Sequence, residues 1–138
     1  MVVSDHSPSP ADLKTGDFAT SWGGISSVQL RLSATWTGAV ARGFDPEVLG
    51  EWLAAAPARL AGLDDRKGMI RVGADADLVV WDPDDAFEVD AAGLSHRHPV
   101  CAYDGTTLRG VVEATFLRGQ QVYSGGRVTE GHGRMLTR

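Results

Sequence analysis

The chain has 138 residues, 43% of them hydrophobic and 22% charged, and a formal net charge of −5 at pH 7. These are ordinary globular values, enough for one domain or for one small domain plus a piece of another. No Lys/Arg block is present to displace counterions from a phosphate backbone, and a lone cysteine, Cys101, excludes an internal disulfide framework. No stretch approaches the roughly 18 apolar residues of a membrane span, and the first residues carry neither the basic nor the apolar part of a secretory signal. The expectation is a soluble cytoplasmic protein without a nucleic-acid or membrane partner.

Val2-Val3-Ser4 reads as the tail of a short strand running into Asp5-His6-Ser7-Pro8. An acid, an imidazole, a hydroxyl and a turn-making proline are groups that a buried strand delivers to a site. Pro8 and Pro10, followed by Gly16-Asp17, predict a loop, because proline fixes φ and withholds an amide donor. Trp22-Gly23-Gly24 precedes Ile25, Val28, Leu32, Trp36, Ala39 and Val40 at helical spacing, which predicts a helix over 25–41 terminated by Gly43. The glycine pair allows close approach of a ligand to the backbone and leaves N–H groups free at the helix start. Asp45-Pro46 predicts a second helix with a capping carboxylate and a proline in its first turn. Its apolar face is Val48, Leu49, Trp52, Leu53 and Ala56; Pro57 ends it, and 58–63 forms a further short turn.

After Lys67-Gly68 the pattern changes to short strands. Met69-Ile70-Arg71-Val72 and Leu78-Val79-Val80-Trp81-Asp82-Pro83 predict two strands joined by a turn over 73–77. Phe87-Glu88-Val89, the stretch 108–119 and Gln121-Val122-Tyr123 continue the β pattern, with a turn at Gly125-Gly126 and a polar tail. The four tryptophans, Trp22, Trp36, Trp52 and Trp81, read as core or interface residues. Asp75 and Asp77 read as turn acids, Cys101 as a small buried hydrophobe, and Gly23-Gly24 as too short to cradle a phosphate.

In this order the segments DHSP (Asp5–Pro8), WGGISSVQ (Trp22–Gln29), AGL (Ala61–Leu63) and RKG (Arg66–Gly68) resemble the C-terminal portion of allantoinases, in the cyclic-amidohydrolase branch of the amidohydrolase superfamily. GADADLVVWDP (Gly73–Pro83), HRH (His96–His98), YDG (Tyr103–Gly105) and LRG (Leu117–Gly119) continue the resemblance across nearly the whole chain. It implies an α/β fold: the C-terminal piece of a metal-dependent (β/α)8 barrel, strand 8 and its following helices, over residues 1–66. The C-terminal part of a small β-sandwich domain would then occupy 67–138. In that barrel class the chemistry sits at the C-terminal ends of the strands. The implied roles are Asp5 as metal ligand and catalytic proton carrier, and Ser7, Gly23, Gly24 and Ser26 as substrate-binding groups for a cyclic ureide. The implied reaction is hydrolysis of allantoin to allantoate, with a dinuclear centre of zinc or a similar divalent metal.

The remaining ligands that the resemblance implies are a His-x-His pair, a carboxylated lysine and two further histidines, all upstream of Met1. His6 matches as a residue behind the ligands or beside the substrate. His96-x-His98 would place two rings on one face of a strand, and His132 lies in a Gly-rich tail. One carboxylate does not hold two ions, since even a catalytic zinc usually takes three protein ligands. The chain alone is therefore expected to be inactive. It is expected to associate with itself or with the part that carries the missing ligands, through apolar surface at Ile25, Val28, Leu32, Trp36 and Trp52. Two other readings remain: a non-catalytic assembly module built on the region from Lys67 onward, and a hydantoinase- or dihydropyrimidinase-like enzyme.

Overall fold

A computed structural model describes residues 1–129 and 133–136; His132 lies outside the described residues. The first residues do not form the strand that Val2-Val3-Ser4 predicts. The chain runs extended, Val2 N–H donates to the Trp52 carbonyl (2.8 Å), and a single parallel bridge pairs His6 with Ile25. A one-sided pairing of this kind lacks the second ladder that would extend it into a regular strand.

Helix α1 covers Arg31–Val40, a shorter element than the predicted 25–41. Ile25 is held by the bridge and Ser26-Ser27 by contacts described below, so the chain turns over 28–30 before the helix proper begins. Gly43 ends the element as predicted: it lies at φ 77°, with its N–H on the Val40 carbonyl and Phe44 N–H on Ala39. This returns chain-end carbonyls to partners.

The second helical element continues through Pro57 instead of stopping there. It consists of α2 (Val48–Gly50), a π segment (Glu51–Ala55) and α3 (Ala56–Ala61). A proline removes one helical donor and crowds the carbonyl four residues back. The wider π turn just before Pro57 accommodates it, so the helix survives. Asp45 does not cap with its carboxylate; the first turn instead forms on backbone, Val48 N–H to the Asp45 carbonyl.

Four antiparallel strands follow in the order β1 (Leu78–Glu88), β2 (Thr107–Leu117), β3 (Gln120–Ser124) and β4 (Arg127–Val128). β1 runs past Pro83, where sequence predicts its end. A register shift between Asp82 and Ala86 takes Pro83 out of the ladder, and the Asp82 carboxylate accepts Asp84 N–H at 2.8 Å. A bulge is where a strand tolerates proline. β2 turns to β3 through Arg118-Gly119, and β3 to β4 through Gly125-Gly126, all four residues at positive φ, the two-residue hairpin that matches strand twist.

α1 packs across β2 with both side chains and backbone. Ser33 Oγ donates to the Gly110 carbonyl (2.6 Å), Arg109 N–H donates to Thr37 Oγ1 (2.8 Å), and the Trp36 indole donates to the Pro83 carbonyl (2.8 Å). Gly110, at φ 92°, leaves the room for this: a Cβ there would sit 3.0 Å from Trp81 and 3.1 Å from Trp36. One core cluster joins Trp36, Ala39 and Leu49 to Trp52, Leu53 and Trp81; a second joins Leu30, Val89 and Leu108 to Phe87, Cys101 and Tyr103. Of the residues expected to form an exposed apolar surface, Trp36 is interior because β2 supplies the sheet that α1 covers, Ile25, Leu32 and Trp52 are partly buried, and Val28 is exposed.

Met69–Val72 is not a strand. Asp75 N–H donates to the Arg66 carbonyl (2.9 Å), and the Arg66 and Lys67 side chains hold Asp75 at 2.9 Å each. The ends of 66–75 are tied together, and Met69, Ile70 and Val72 project from the loop into solvent. His96 and His98 also lie in an irregular segment, so the one-face argument for a strand does not apply to them.

Candidate functional site

The parallel bridge places Asp5–Ser7 beside Gly24–Ser26, so four of the five expected site residues meet on two adjacent segments, with Gly23 next in line. Ser7 N–H donates to the Ile25 carbonyl (3.0 Å), and Ser27 Oγ donates to the Ser4 carbonyl (2.7 Å). Asp5 is exposed and takes φ 45°, a left-handed conformation that Asp tolerates better than most residues. This single kink turns the chain between the Ser4 and Ser7 contacts.

Gly24 lies at φ 79°, and a Cβ there would come within 2.3 Å of Ser7 Cβ. Only glycine permits this approach. Ser7 Oγ accepts the Trp22 indole N–H at 3.2 Å. Trp22 itself is 51% exposed, so of the core or interface role that sequence suggests the core one does not hold. Lys14 Nζ donates to the Trp22 carbonyl (2.9 Å) and the Gly24 carbonyl (2.8 Å), and so fixes the glycine loop from outside. Nothing in the sequence around Lys14 marks it for that task.

Ser26 is buried, and its carbonyl accepts from Cys101 Sγ at 3.0 Å. Gln29 Oε1 accepts Ser95 N–H at 2.8 Å. These two bonds lay the irregular segment 94–103 over the back of the glycine loop. His6 faces the same interior: its Nδ1 accepts Ser27 N–H (3.0 Å) and Val28 N–H (3.2 Å), and its ring stands edge-on to His96 at 6.2 Å. An open cavity of about 270 Å³ lies beside Val2–Ser4, Ile25 and Arg31, and none of the five expected site residues lines it.

The donor set does not fit a metal ion by itself. Among the described residues no three His, Cys, Asp or Glu side chains gather as a metal centre, and Asp5 offers one carboxylate where a catalytic zinc usually takes three protein ligands. Among the same residues, no helix is long and apolar enough to cross a membrane.

The amidohydrolase family matches residues 35–123. The chain is 55% identical over 137 residues to an allantoinase of Streptomyces avermitilis, covering 99% of this chain and 31% of that protein. It is 43% identical over 132 residues to an allantoinase of Arabidopsis thaliana, covering 92% of this chain and 26% of that protein. Among solved structures, a D-hydantoinase (dihydropyrimidinase) from Thermus sp. superposes with a TM-score of 0.81 at 28% identity, over 91% of this chain and 28% of that one. The chain thus spans less than a third of the length of the relatives it matches. A match over more than half its residues, reinforced by this near end-to-end similarity to allantoinases, means that the chain belongs to the amidohydrolase family.

Proposed function

We propose that this chain supplies the C-terminal part of an allantoin-opening cyclic amidohydrolase. The observation that carries this reading is the 55% identity sustained over 137 residues to an allantoinase, with the DHSP and WGGIS segments paired in space. On this reading residues 1–66 carry the end of a barrel and its helices, with Val2–Asp5 becoming the last strand only beside barrel neighbours from the complementary portion, and 67–138 belong to a small β domain. The lone cysteine, a free thiol, suits the reducing cytoplasm.

The chemistry assigned to these residues is proton transfer and orientation. As water adds to the ring amide carbonyl, the Asp5 carboxylate takes its proton; as the ring C–N bond breaks, the same group returns the proton to the leaving nitrogen. The Ser7 hydroxyl and the backbone of Gly23, Gly24 and Ser26 meet the alternating N–H and C=O edge of the ureide. The Gly24 carbonyl keeps a second lone pair beyond its bond to Lys14. Asp5 would also give one oxygen to a divalent centre, zinc or similar, whose other donors come from a complementary chain portion.

The test joins residues 1–138 in place of the matching segment of the Streptomyces avermitilis allantoinase. Ring opening of allantoin, hydantoin and dihydrouracil is then followed. The reading requires allantoin to be the preferred substrate, and no turnover by the 138-residue chain alone. Preference for hydantoin moves the chain to the hydantoinase side of the family, and robust turnover by the isolated chain refutes the assignment of shared labour.

A further inference from the structure

Two independent contacts converge on His6, next to the proposed proton carrier, and neither is explained by catalysis at Asp5. Ser27 and Val28 both aim their backbone N–H groups at the same ring nitrogen, Nδ1, at 3.0 and 3.2 Å. Backbone N–H groups only donate, so Nδ1 must carry its lone pair there and the ring proton must sit on Nε2. Turning the ring over would set a C–H against two N–H groups, so the orientation is fixed by its partners. These two donors open the turn that leads into α1, a helix whose first turn has no side-chain cap. An imidazole from a different segment, 21 residues earlier in the chain, instead holds the backbone ahead of that helix.

The ring has little freedom to leave. His96 stands edge-on to it, with centroids 6.2 Å apart and planes at 64°. Both His96 ring nitrogens are buried and without a hydrogen-bond partner among the described residues. Against His6, His96 contributes the edge of its ring. Ser27 Oγ to the Ser4 carbonyl and Ser7 N–H to the Ile25 carbonyl clamp the same two segments one residue either side of the Asp5–His6 pair.

We infer that His6 is a positioning residue of this site: as the Nε2-protonated imidazole it holds the Ser26–Val28 backbone at a fixed distance from Asp5 and Ser7. The term site rests on the function proposed above, whereas the clamp itself does not. A group that orients the segments carrying the proton carrier and the substrate contacts matters steeply, because a misplacement of about 1 Å can cost on the order of 10²-fold in rate.

Three substitutions separate the ring nitrogens. Asparagine places its carbonyl oxygen where imidazole carries Nδ1, glutamine reaches the Nε2 position, and alanine reaches neither. In the 138-residue chain, long-range ¹H–¹⁵N correlation reads the His6 tautomer, and amide hydrogen exchange reads Ser27 and Val28. Nε2 protonation is expected, with exchange protection at both amides kept within about threefold in His6→Asn and lost by about tenfold or more in His6→Gln and His6→Ala, in line with one to two modest hydrogen bonds. A ring protonated on Nδ1 overturns the inference, as does unchanged protection in His6→Gln. Should His6→Ala fail to fold, the tautomer of the unsubstituted chain still decides.

In the chimera, His6→Gln is expected to lose about 10²-fold in kcat/KM on allantoin while His6→Asn stays close to the parent. An active parent with an equally active His6→Gln variant removes His6 from the site and leaves the proposed function standing. An inactive parent removes the proposed function, and the exchange and tautomer results then decide the clamp alone.

Discussion

Replacing Gly24 by alanine tests whether the two site segments are as close as described. The added Cβ would lie 2.3 Å from Ser7 Cβ, 2.8 Å from its Oγ and 3.2 Å from its carbonyl oxygen. Carbon atoms rest at about 3.5–4.0 Å, so the segments must part by more than about 1 Å. Ser7 Cβ is bound to the backbone, and rotating a side chain does not relieve the contact. The left-handed φ of 79° adds about 1–2 kcal/mol for a residue with a Cβ, and overpacking of this kind about 1–3 kcal/mol. A loss of about 2–5 kcal/mol is a large share of a typical domain stability of about 5–15 kcal/mol.

Two readouts follow this loss in the 138-residue chain. Urea unfolding gives the global midpoint, and the Trp22 indole resonance reports its 3.2 Å bond to Ser7 Oγ. Gly24→Ala is expected to lower the midpoint and to speed exchange of the indole proton; in the chimera it is expected to depress allantoin opening by about 10²-fold. An unchanged midpoint together with an unchanged indole signal would show that Gly24 and Ser7 are not in contact, and the site geometry would fall with it.

Other consequences are more local. Trp36→Phe removes the indole bond to the Pro83 carbonyl (2.8 Å) and is expected to cost about 1–3 kcal/mol in urea unfolding; no loss would contradict the docking of α1 on the β1 bulge. Hydrogen bonds from Lys67 and then Arg66 hold the Asp75 carboxyl below its usual range. Its contribution is complete above about pH 4, the unfolded value, and is lost as pH falls through the lowered folded value; Asp75→Asn should flatten that acid limb in a pH series of unfolding midpoints. For Lys67, burial pushes the ammonium down, but bonds to Asp75 and Asp77 outweigh it and raise the group overall. That contribution holds below about pH 10.4 and disappears as pH rises through the raised value, so Lys67→Met should remove an alkaline loss and leave the neutral plateau lower.

The parts of the fold that sequence made legible are those governed by local rules. Gly43, the strands of 108–123 and the Gly125-Gly126 turn follow from periodicity and turn chemistry. The parts it hid depend on contacts distant in the chain. Met69–Val72 has strand composition, but the salt bridges from Arg66 and Lys67 to Asp75 close it into a loop. Pro57 and Pro83 signal endings, yet a π turn and a bulge absorb them. The helix start slipped from 25 to 31 because Ser27 and Val28 answer to His6, 21 and 22 residues upstream. In the proposed site, the motif residues Asp5, Ser7, Gly24 and Ser26 were legible, and they lie on two segments joined by one bridge. The role of Lys14 was not, since a surface lysine carries no periodic signal, and His6 was legible only as a residue behind the ligands or beside the substrate, not as an acceptor for Ser27 and Val28.

The central claim is that Asp5 moves the proton in ring opening. It is tested most directly by Asp5→Asn in the chimera, with its bound metal counted alongside, because asparagine tolerates the φ of 45° as well as aspartate does and replaces the proton-accepting carboxylate by a neutral amide. The account predicts a kcat on allantoin lowered by about 10²–10⁴-fold with an unchanged unfolding midpoint. An Asp5→Asn chimera that turns over allantoin at the parent rate would contradict it.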